Sequence, residues 1–305
     1  MALDADLWLD RRRLKRRLAL WRTAAVLAIA GLVFLAAHRM GVLPGEDHVA
    51  RLTVAGVILE DPDRDDALFE LAMDASAQAL IVRIDSPGGT VVGGETLYRS
   101  LREVAKHKPV VAVMGTTATS AAYMAALGAD HVIAHDGTLT GSIGVLLQSA
   151  DVTGLLQKLG VSTEAIKSGP LKAVPSPFEK LTREGRDSAQ AVVMDMHAFF
   201  VDLLAERRGL ERSQALNLAD GRVYTGRQAL KARLVDAIGT EQNALSWLES
   251  ERGVARTLPV KELSLGYEGE WLSGGLTGLF RKTKVLERLT LDGLVSLWHF
   301  ELIRP

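Results

Sequence analysis

Residues 115–145 read GTTATSAAYMAALGADHVIAHDGTLTGSIGV, and the fold turns on how Ser120 and Ser142 sit in that stretch. The apolar run Pro109-Val-Val-Ala-Val-Met114 before it has the length and composition of a buried strand, and Ser120-Ala-Ala-Tyr-Met-Ala-Ala126 reads as the start of a helix made of small residues. A serine at a strand-to-helix corner projects its hydroxyl past the strand end. The amide of Ala121, at a helix N-terminus without an intrahelical acceptor, can then face a developing oxyanion. The same residues also fit a serine that simply caps a helix.

A second strand, Ala79-Leu-Ile-Val-Arg-Ile84, runs into Asp85-Ser-Pro-Gly-Gly89. Pro87 and two glycines break it sharply, and glycine lets the backbone approach a ligand closely, so the amide of Gly89 is a candidate second oxyanion donor. A serine hydroxyl needs a base to take its proton. Of the seven histidines only His131 and His135 lie near Ser120 in sequence, both flanking a strand, with no acidic partner in a known triad order. A lysine can serve instead if desolvation lowers its pKa to about 7 to 8. Lys172 lies in the turn-rich, charge-poor stretch Ser168-Gly-Pro-Leu-Lys-Ala-Val-Pro-Ser-Pro-Phe178, with Lys167 nearby as a surface residue. Taken alone, Lys172 also fits a solvated loop lysine.

Five segments in order, RIDSPGG, MGTTATSAAYMAALGADHVIA, TGSIGV, IKSGPLKAVPSPF and DGRVYTGRQA, resemble bacterial signal peptide peptidase A across roughly residues 50–250. The resemblance implies a Clp/crotonase-like α/β fold with a largely parallel sheet and helical cover. It implies Ser120 as nucleophile, Lys172 as general base, Ser142 as the residue that orients the lysine, and Gly89 and Ala121 as the oxyanion hole. It further implies a homo-oligomeric ring whose sites are shared between subunits, and peptide substrates that are leftover signal peptides. A Clp-type Ser-His-Asp peptidase shares the SPGG turn, but TGSIGV contains no histidine. Where the family usually has Ser-Gly-Gly-Tyr-Tyr, this chain has Ser120-Ala-Ala-Tyr-Met124. The amides are kept, and the added methyl groups are expected to narrow the site. A membrane-tethered scaffold that lost activity is one alternative, which the intact Ser120, Ser142 and Lys172 set opposes. A crotonase-type acyl-CoA enzyme is another, and it has no need for Ser120, Lys172 or an anchor.

Composition narrows the field. A net charge of −1 gives no general electrostatic case for nucleic acid, and zero cysteines exclude disulfides and thiol chemistry. No P-loop or ligand cluster calls for a cofactor or metal. Arg11-Arg-Arg-Leu-Lys-Arg-Arg17 precedes an uncharged apolar run over residues 23–37. Basic residues stay cytoplasmic, so the remainder is expected outside, on the periplasmic side of the inner membrane. The run is shorter than the ~20 residues that span a bilayer, but residues 18–21 and snorkelling by Arg22 and Arg39 extend it. A cleaved signal peptide is the rival, and no A-x-A pattern follows the run.

The organisation read from these features is a basic tail at 1–17, a single transmembrane anchor at 18–40, a linker at 41–49, the catalytic domain at 50–251 and a C-terminal extension at 252–305. Within the domain, strands are expected at 51–58, 79–84, 109–114, 130–134, 142–148 and 161–166. Helices are expected at 61–75, 95–106 and 150–159, with a long one at 181–208 that buries Val192, Val193, Met196, Phe199, Phe200, Leu203 and Leu204. Trp271 to Trp298 has an amphipathic pattern suited to packing against the body or a neighbouring subunit, with membrane contact as the alternative. If the N-terminal segment is a retained anchor, the protein resists carbonate extraction, and a reporter fused after Pro305 that works only outside the cytoplasm is active. Release of a form beginning near His38 would show cleavage instead.

Overall fold

The computed structural model describes residues 17–18, 20–32, 46–265 and 294–297, and the chain divides into two units, Met1–Glu46 and Asp47–Pro305. The first unit contains α1 (Leu20–Leu32), an apolar helix within the stretch read as an anchor. Leu20, Trp21, Val26, Leu27, Ile29 and Leu32 are all exposed on it.

The second unit is built on one mixed sheet. Its main path runs β10-β1-β2-β4-β5-β9, formed by β1 (His48–Ala55), β2 (Ala77–Ser86), β4 (Val110–Thr119), β5 (His131–Ala134), β9 (Ala237–Ile238) and β10 (Val260–Glu262), and every pairing along it is parallel. Beyond the main path, β6 (Leu139–Gly141) continues beside the end of β4 and pairs antiparallel with β8 (Val223–Thr225). Parallel strands need helical crossovers, and those helices cover both faces. Consequently β2 and β4 are apolar at successive positions. Leu80, Val82, Ile84, Ala112 and Met114 feed a core beneath α2 (Pro62–Met73), α3 (Val91–Ala105) and α4 (Ala121–Ala126). Ala79, Ile81, Val111 and Val113 feed a second core beneath α9 (Glu241–Arg252). The period-2 alternation of a strand sends one set to each side.

Helix boundaries follow local chemistry. Asp61 caps α2 by accepting the Arg64 N–H, with Pro62 in the first turn. Helix α3 starts four residues before the expected 95, because the Thr90 hydroxyl accepts the Gly93 N–H. Gly93 and Gly94, which look like breakers in sequence, lie inside it for a packing reason. A Cβ at Gly93 would stand 2.8 Å from the Ile58 carbonyl oxygen, and one at Gly94 would stand 2.9 Å from the Ala121 methyl.

The stretch after β6 departs from expectation. Instead of a strand over 142–148 there is only β7 (Leu146–Leu147), since Gly141 (φ 81°) and Ser142 (φ 49°) turn the chain out of the sheet. Residues 161–166 form no strand; Val161 and Ile166 are exposed and no sheet edge lies beneath them. Helix α5 (Thr153–Lys158) buries no residue. The long helix α6 (Arg183–Arg208) is present, but it buries Gly185, Phe200, Val201, Leu203 and Leu204 only. Val192 and Met194 are exposed, and Val193, Met196 and Phe199 are half-buried, so the apolar face runs past the end of the core. Three short elements, α7 (Arg212–Leu218), β8 and α8 (Gly226–Lys231), return the chain to the sheet. Strand β10, in the stretch read as an extension, pairs with β1. The amphipathic pattern from Trp271 onward lies outside the described residues except for β11 (Leu294–Leu297).

Tyr123 on α4 is wholly buried and donates its hydroxyl to the Leu234 carbonyl at 2.8 Å. Burial raises its pKa well above the usual tyrosine range, so it stays a donor. Tyr123→Phe leaves that carbonyl without its partner and should cost about 1–3 kcal/mol, read as a lower urea midpoint with an unchanged m-value.

Candidate active site

Ser120 occupies the corner between β4 and α4 with φ 60° and ψ −123°, and only 2% of its surface is exposed. Positive φ is costly for a residue with a Cβ, at roughly 1–3 kcal/mol, and persists only where the surroundings over-determine it. Those surroundings are visible. The Ser120 N–H donates to the Gly141 carbonyl at 2.8 Å, and the Ser120 carbonyl accepts the Met124 N–H at 2.9 Å. With both backbone groups held, the residue turns sharply from strand into helix.

The Gly141 bond also brings β6 to the corner, so Ser142 follows one residue after Ser120's acceptor. Its backbone is fixed by its own N–H donating to the Arg222 carbonyl at 2.8 Å. Gly141 itself is required, because a Cβ there would meet the Tyr224 ring at 2.5 Å.

Gly89 reaches the corner from the other side. It lies in β3 (Gly88–Thr90), bridged in parallel to Ile58, and a Cβ on it would sit 1.8 Å from the Ile58 carbonyl oxygen. The turn is tied to β4 at two points: Ser86 pairs with Ala118 in the sheet, and the Thr119 hydroxyl donates to the Pro87 carbonyl at 3.0 Å. Four of the sequence-predicted residues, Gly89, Ser120, Ala121 and Ser142, therefore converge. The Ala121 methyl is buried and faces Gly94 of α3. It fills a gap between helices, so the expectation that it narrows the site is corrected at that position.

Lys172 is not brought in. It lies in the turn at residues 170–173 with an exposed side chain that makes no hydrogen bond or ion pair among the described residues. Lys167, read as a surface residue, is half-buried and paired with Glu179 at 2.5 Å.

Sequence reading missed the residues that brace the corner. Asp85 accepts the Thr117 N–H at 3.0 Å where the β2–β4 register shifts. Buried Ser86 donates to the Gly56 carbonyl at 2.6 Å and accepts the Gly88 N–H at 3.1 Å, and buried Thr140 donates to the Ala118 carbonyl at 2.7 Å. The available signal was small hydroxyl residues at the ends of apolar strands, where backbone groups leave the ladder. A cavity of about 390 Å³ lies at the opposite end of α4, lined in part by Leu127, Arg207 and Arg208. Arg207 there donates to the Leu127 and Ala129 carbonyls, and Arg208 pairs with Asp236, so its charges close off helix and strand ends away from Ser120.

His131 and His135 do not reach the corner: His135 is exposed, and His131 stacks on Trp247 with ring centroids 4.7 Å apart. Burial lowers the His131 pKa, outweighing Asp236 at 3.9 Å. The unfolded histidine binds its proton more readily, so its contribution to stability is complete above about pH 6.5 and declines as pH falls through the lower folded value. Urea midpoints should drop less between pH 7.5 and 5.5 in His131→Phe than in the wild-type chain.

The sequence profile described as peptidase family S49 matches residues 102–255. The Synechocystis protein slr0021, provisionally named a protease, is 42% identical over 176 residues, covering 58% of this chain and 64% of that protein. A protein of Enterococcus faecium provisionally named signal peptide peptidase SppA is 31% identical over 235 residues, covering 76% of this chain and 67% of its own. The chain thus spans about two thirds of the length of these relatives. Among solved structures, a variant of the membrane-bound stomatin-specific protease 1510-N in complex with a substrate peptide superposes with a TM-score of 0.50 at 18% identity. That match covers 75% of this chain and 98% of the other, a likeness of fold.

Proposed function

Since the chain belongs to peptidase family S49, we propose that it is a serine endopeptidase working through a Ser120–Lys172 dyad completed between neighbouring subunits. The strained corner at Ser120 is the observation that carries this reading. A side chain held at positive φ, beside a glycine turn that bars any Cβ and a helix N-terminus, suits a nucleophile and has no evident packing value. Lys172 in its neutral form takes the Ser120 Oγ proton as Oγ bonds to the scissile carbonyl carbon. The carbonyl oxygen gains the negative charge and accepts from the Ala121 and Gly89 amides. The lysine returns the proton to the leaving amine as the C–N bond breaks, leaving an acyl-serine. Water, deprotonated by the same lysine, then releases the acid. Ser142 orients the lysine.

The exposure of Lys172 in one chain supports a shared site. The arm that carries it also exposes Leu155, Leu159, Ile166 and Phe178, and α6 above it exposes Val192 and Met194. Apolar surface on this scale favours a partner, and here the partner is a second copy in a closed head-to-tail ring. Docking would strip water from Lys172, the condition under which a lysine acts as a base.

The basic tail, the apolar helix α1 and the stretch that leads to β1 make residues 1–46 a membrane anchor, with the catalytic domain on the extracytoplasmic face. Leftover signal peptides are the proposed substrates, by analogy with the function named for the E. faecium relative. The discriminating experiment mixes two inactive variants, Ser120→Ala and Lys172→Ala, at equal amounts with different tags. Each alone should lose on the order of 10⁶ in turnover. Random mixing restores about one interface in four, since one subunit supplies the serine and its neighbour the lysine. Mixed oligomers, verified by pulling down one tag and detecting the other, that remain inactive would place both residues in one subunit.

A further inference from the structure

The cavity of about 390 Å³ at the far end of α4 sets three arginines, Arg207, Arg208 and Arg233, beside two aspartates, Asp130 and Asp236. Both carboxylates are already satisfied. Asp130 accepts the Val110 N–H at 3.0 Å and pairs with Arg102 at 3.2 Å. Asp236 accepts the Val132 N–H at 2.8 Å and takes both terminal nitrogens of Arg208, at 2.8 and 3.1 Å. The remaining nitrogen of Arg208, Nε, donates to the Arg233 carbonyl at 2.6 Å. These four charges cancel in pairs. Among the described residues neither Arg207 nor Arg233 forms an ion pair, so the cavity keeps their positive charge.

Arg207 is half-buried, with Nε donating to the Leu127 carbonyl at 2.8 Å and one terminal nitrogen to the Ala129 carbonyl at 3.0 Å. Those bonds fix the plane of the guanidinium and leave the rest of its N–H fork without a protein acceptor among the described residues. Burial works against its charged form, and so does the charge of Arg102, so an anion in the cavity would offset both. Arg233 sits where its backbone is disfavoured. It follows Ala232, the C-cap of α8, with φ 62°, the left-handed position that glycine fills most easily. Its side chain is exposed, and the hydrogen bond it gives the Arg208 carbonyl is long at 3.5 Å. Packing therefore does not account for an arginine at this turn.

We propose that this cavity binds a phosphate group, whose oxygens accept from the forked guanidiniums of Arg207 and Arg233. The site stands apart from the role proposed for Ser120. Strand β4 runs ten residues from Val110, bonded to Asp130, to Thr119, which puts the nucleophile corner roughly 30 Å away. The cavity shares its end of the sheet with the start of the domain. Val49 lies opposite Ala79, Leu80 opposite Val110 and Val111 opposite His131, so His48 and Asp130 stand at the same end of the strands, about 14 Å or three strand spacings apart. On the anchor reading proposed above, a lipid headgroup is one source of the phosphate. Phosphate free in solution is the other.

The test titrates the full chain, in a maltoside detergent at fixed ionic strength, with inorganic phosphate in a calorimeter; binding should be saturable. Arg233→Gly removes the side chain and suits the backbone. It should weaken phosphate binding on the order of tenfold, yet raise the urea midpoint of the ligand-free protein. Arg183→Gln removes an exposed charge at the start of α6 and should leave the binding unchanged. Hydrogen exchange then identifies the source. If a lipid headgroup fills the cavity, residues 203–210 and 228–236 exchange more slowly in phosphatidylglycerol-containing bilayer discs than in detergent, and Arg233→Gly cancels the difference. Protection that requires added inorganic phosphate in both media assigns the site to the free ion. Heats that never saturate would overturn the proposal. So would phosphate binding as tight in Arg233→Gly as in the wild-type chain, or weakened as much by Arg183→Gln.

Discussion

The hydrogen bond from the Ser120 N–H to the Gly141 carbonyl, at 2.8 Å, holds the architecture of the site together. It extends the β4–β6 ladder to the last residue before α4, and so pins a serine in a conformation that its own Cβ disfavours. Around it the strained corner is offset by a set of buried hydroxyls. Ser86, Thr119 and Thr140 each satisfy a carbonyl that the sheet leaves open as its strands diverge. Loss of any of them would leave a buried acceptor unpaired, which costs more than the bond itself contributes. Strain at one residue is sustained by polar satisfaction at several neighbours.

What could be read in the sequence followed from this division of labour. The apolar runs of β2 and β4, the helix opening at Asp61 and the break at Pro87 depend on local rules, and they put Gly89, Ser120 and Ala121 at the ends of elements that meet. Long-range contact was less legible. Gly93 and Gly94 look like helix breakers until Ile58 and Ala121 are known to press on them. The Ala121 methyl looks like an obstruction in the site until α3 is seen to receive it. Residues 161–166 follow a helix, as the next strand of an alternating chain would, but a strand needs an edge, and none is offered there. The apolar stripe of α6 marks a helix, and its burial ends well short of the stripe, with Val192 and Met194 exposed. Periodicity reports that a face is apolar and is silent about where the body beneath it ends.

The arm carrying Lys172 shows the same limit from the other direction. Residues 150–180 hold themselves together by local bonds, such as the Val152 N–H to the Pro177 carbonyl and the Thr163 hydroxyl to the Phe178 carbonyl. Yet the arm leaves large side chains uncovered. A segment can be well folded within itself and still incomplete as a surface, and the sequence of one chain does not name what completes it.

The pairing of β10 with β1 carries a mechanical consequence. Val49 lies beside Val260 and Arg51 beside Glu262, so the first strand of the main sheet and the last one along the chain run side by side in the same direction. Tension applied at the start of β1 and the end of β10 pulls parallel neighbours in opposite senses. The load falls on the whole ladder at once, together with the ion pair between Arg51 and Glu262, instead of opening one bond after another. The pair of strands is thereby loaded in shear, the direction in which a short sheet resists best.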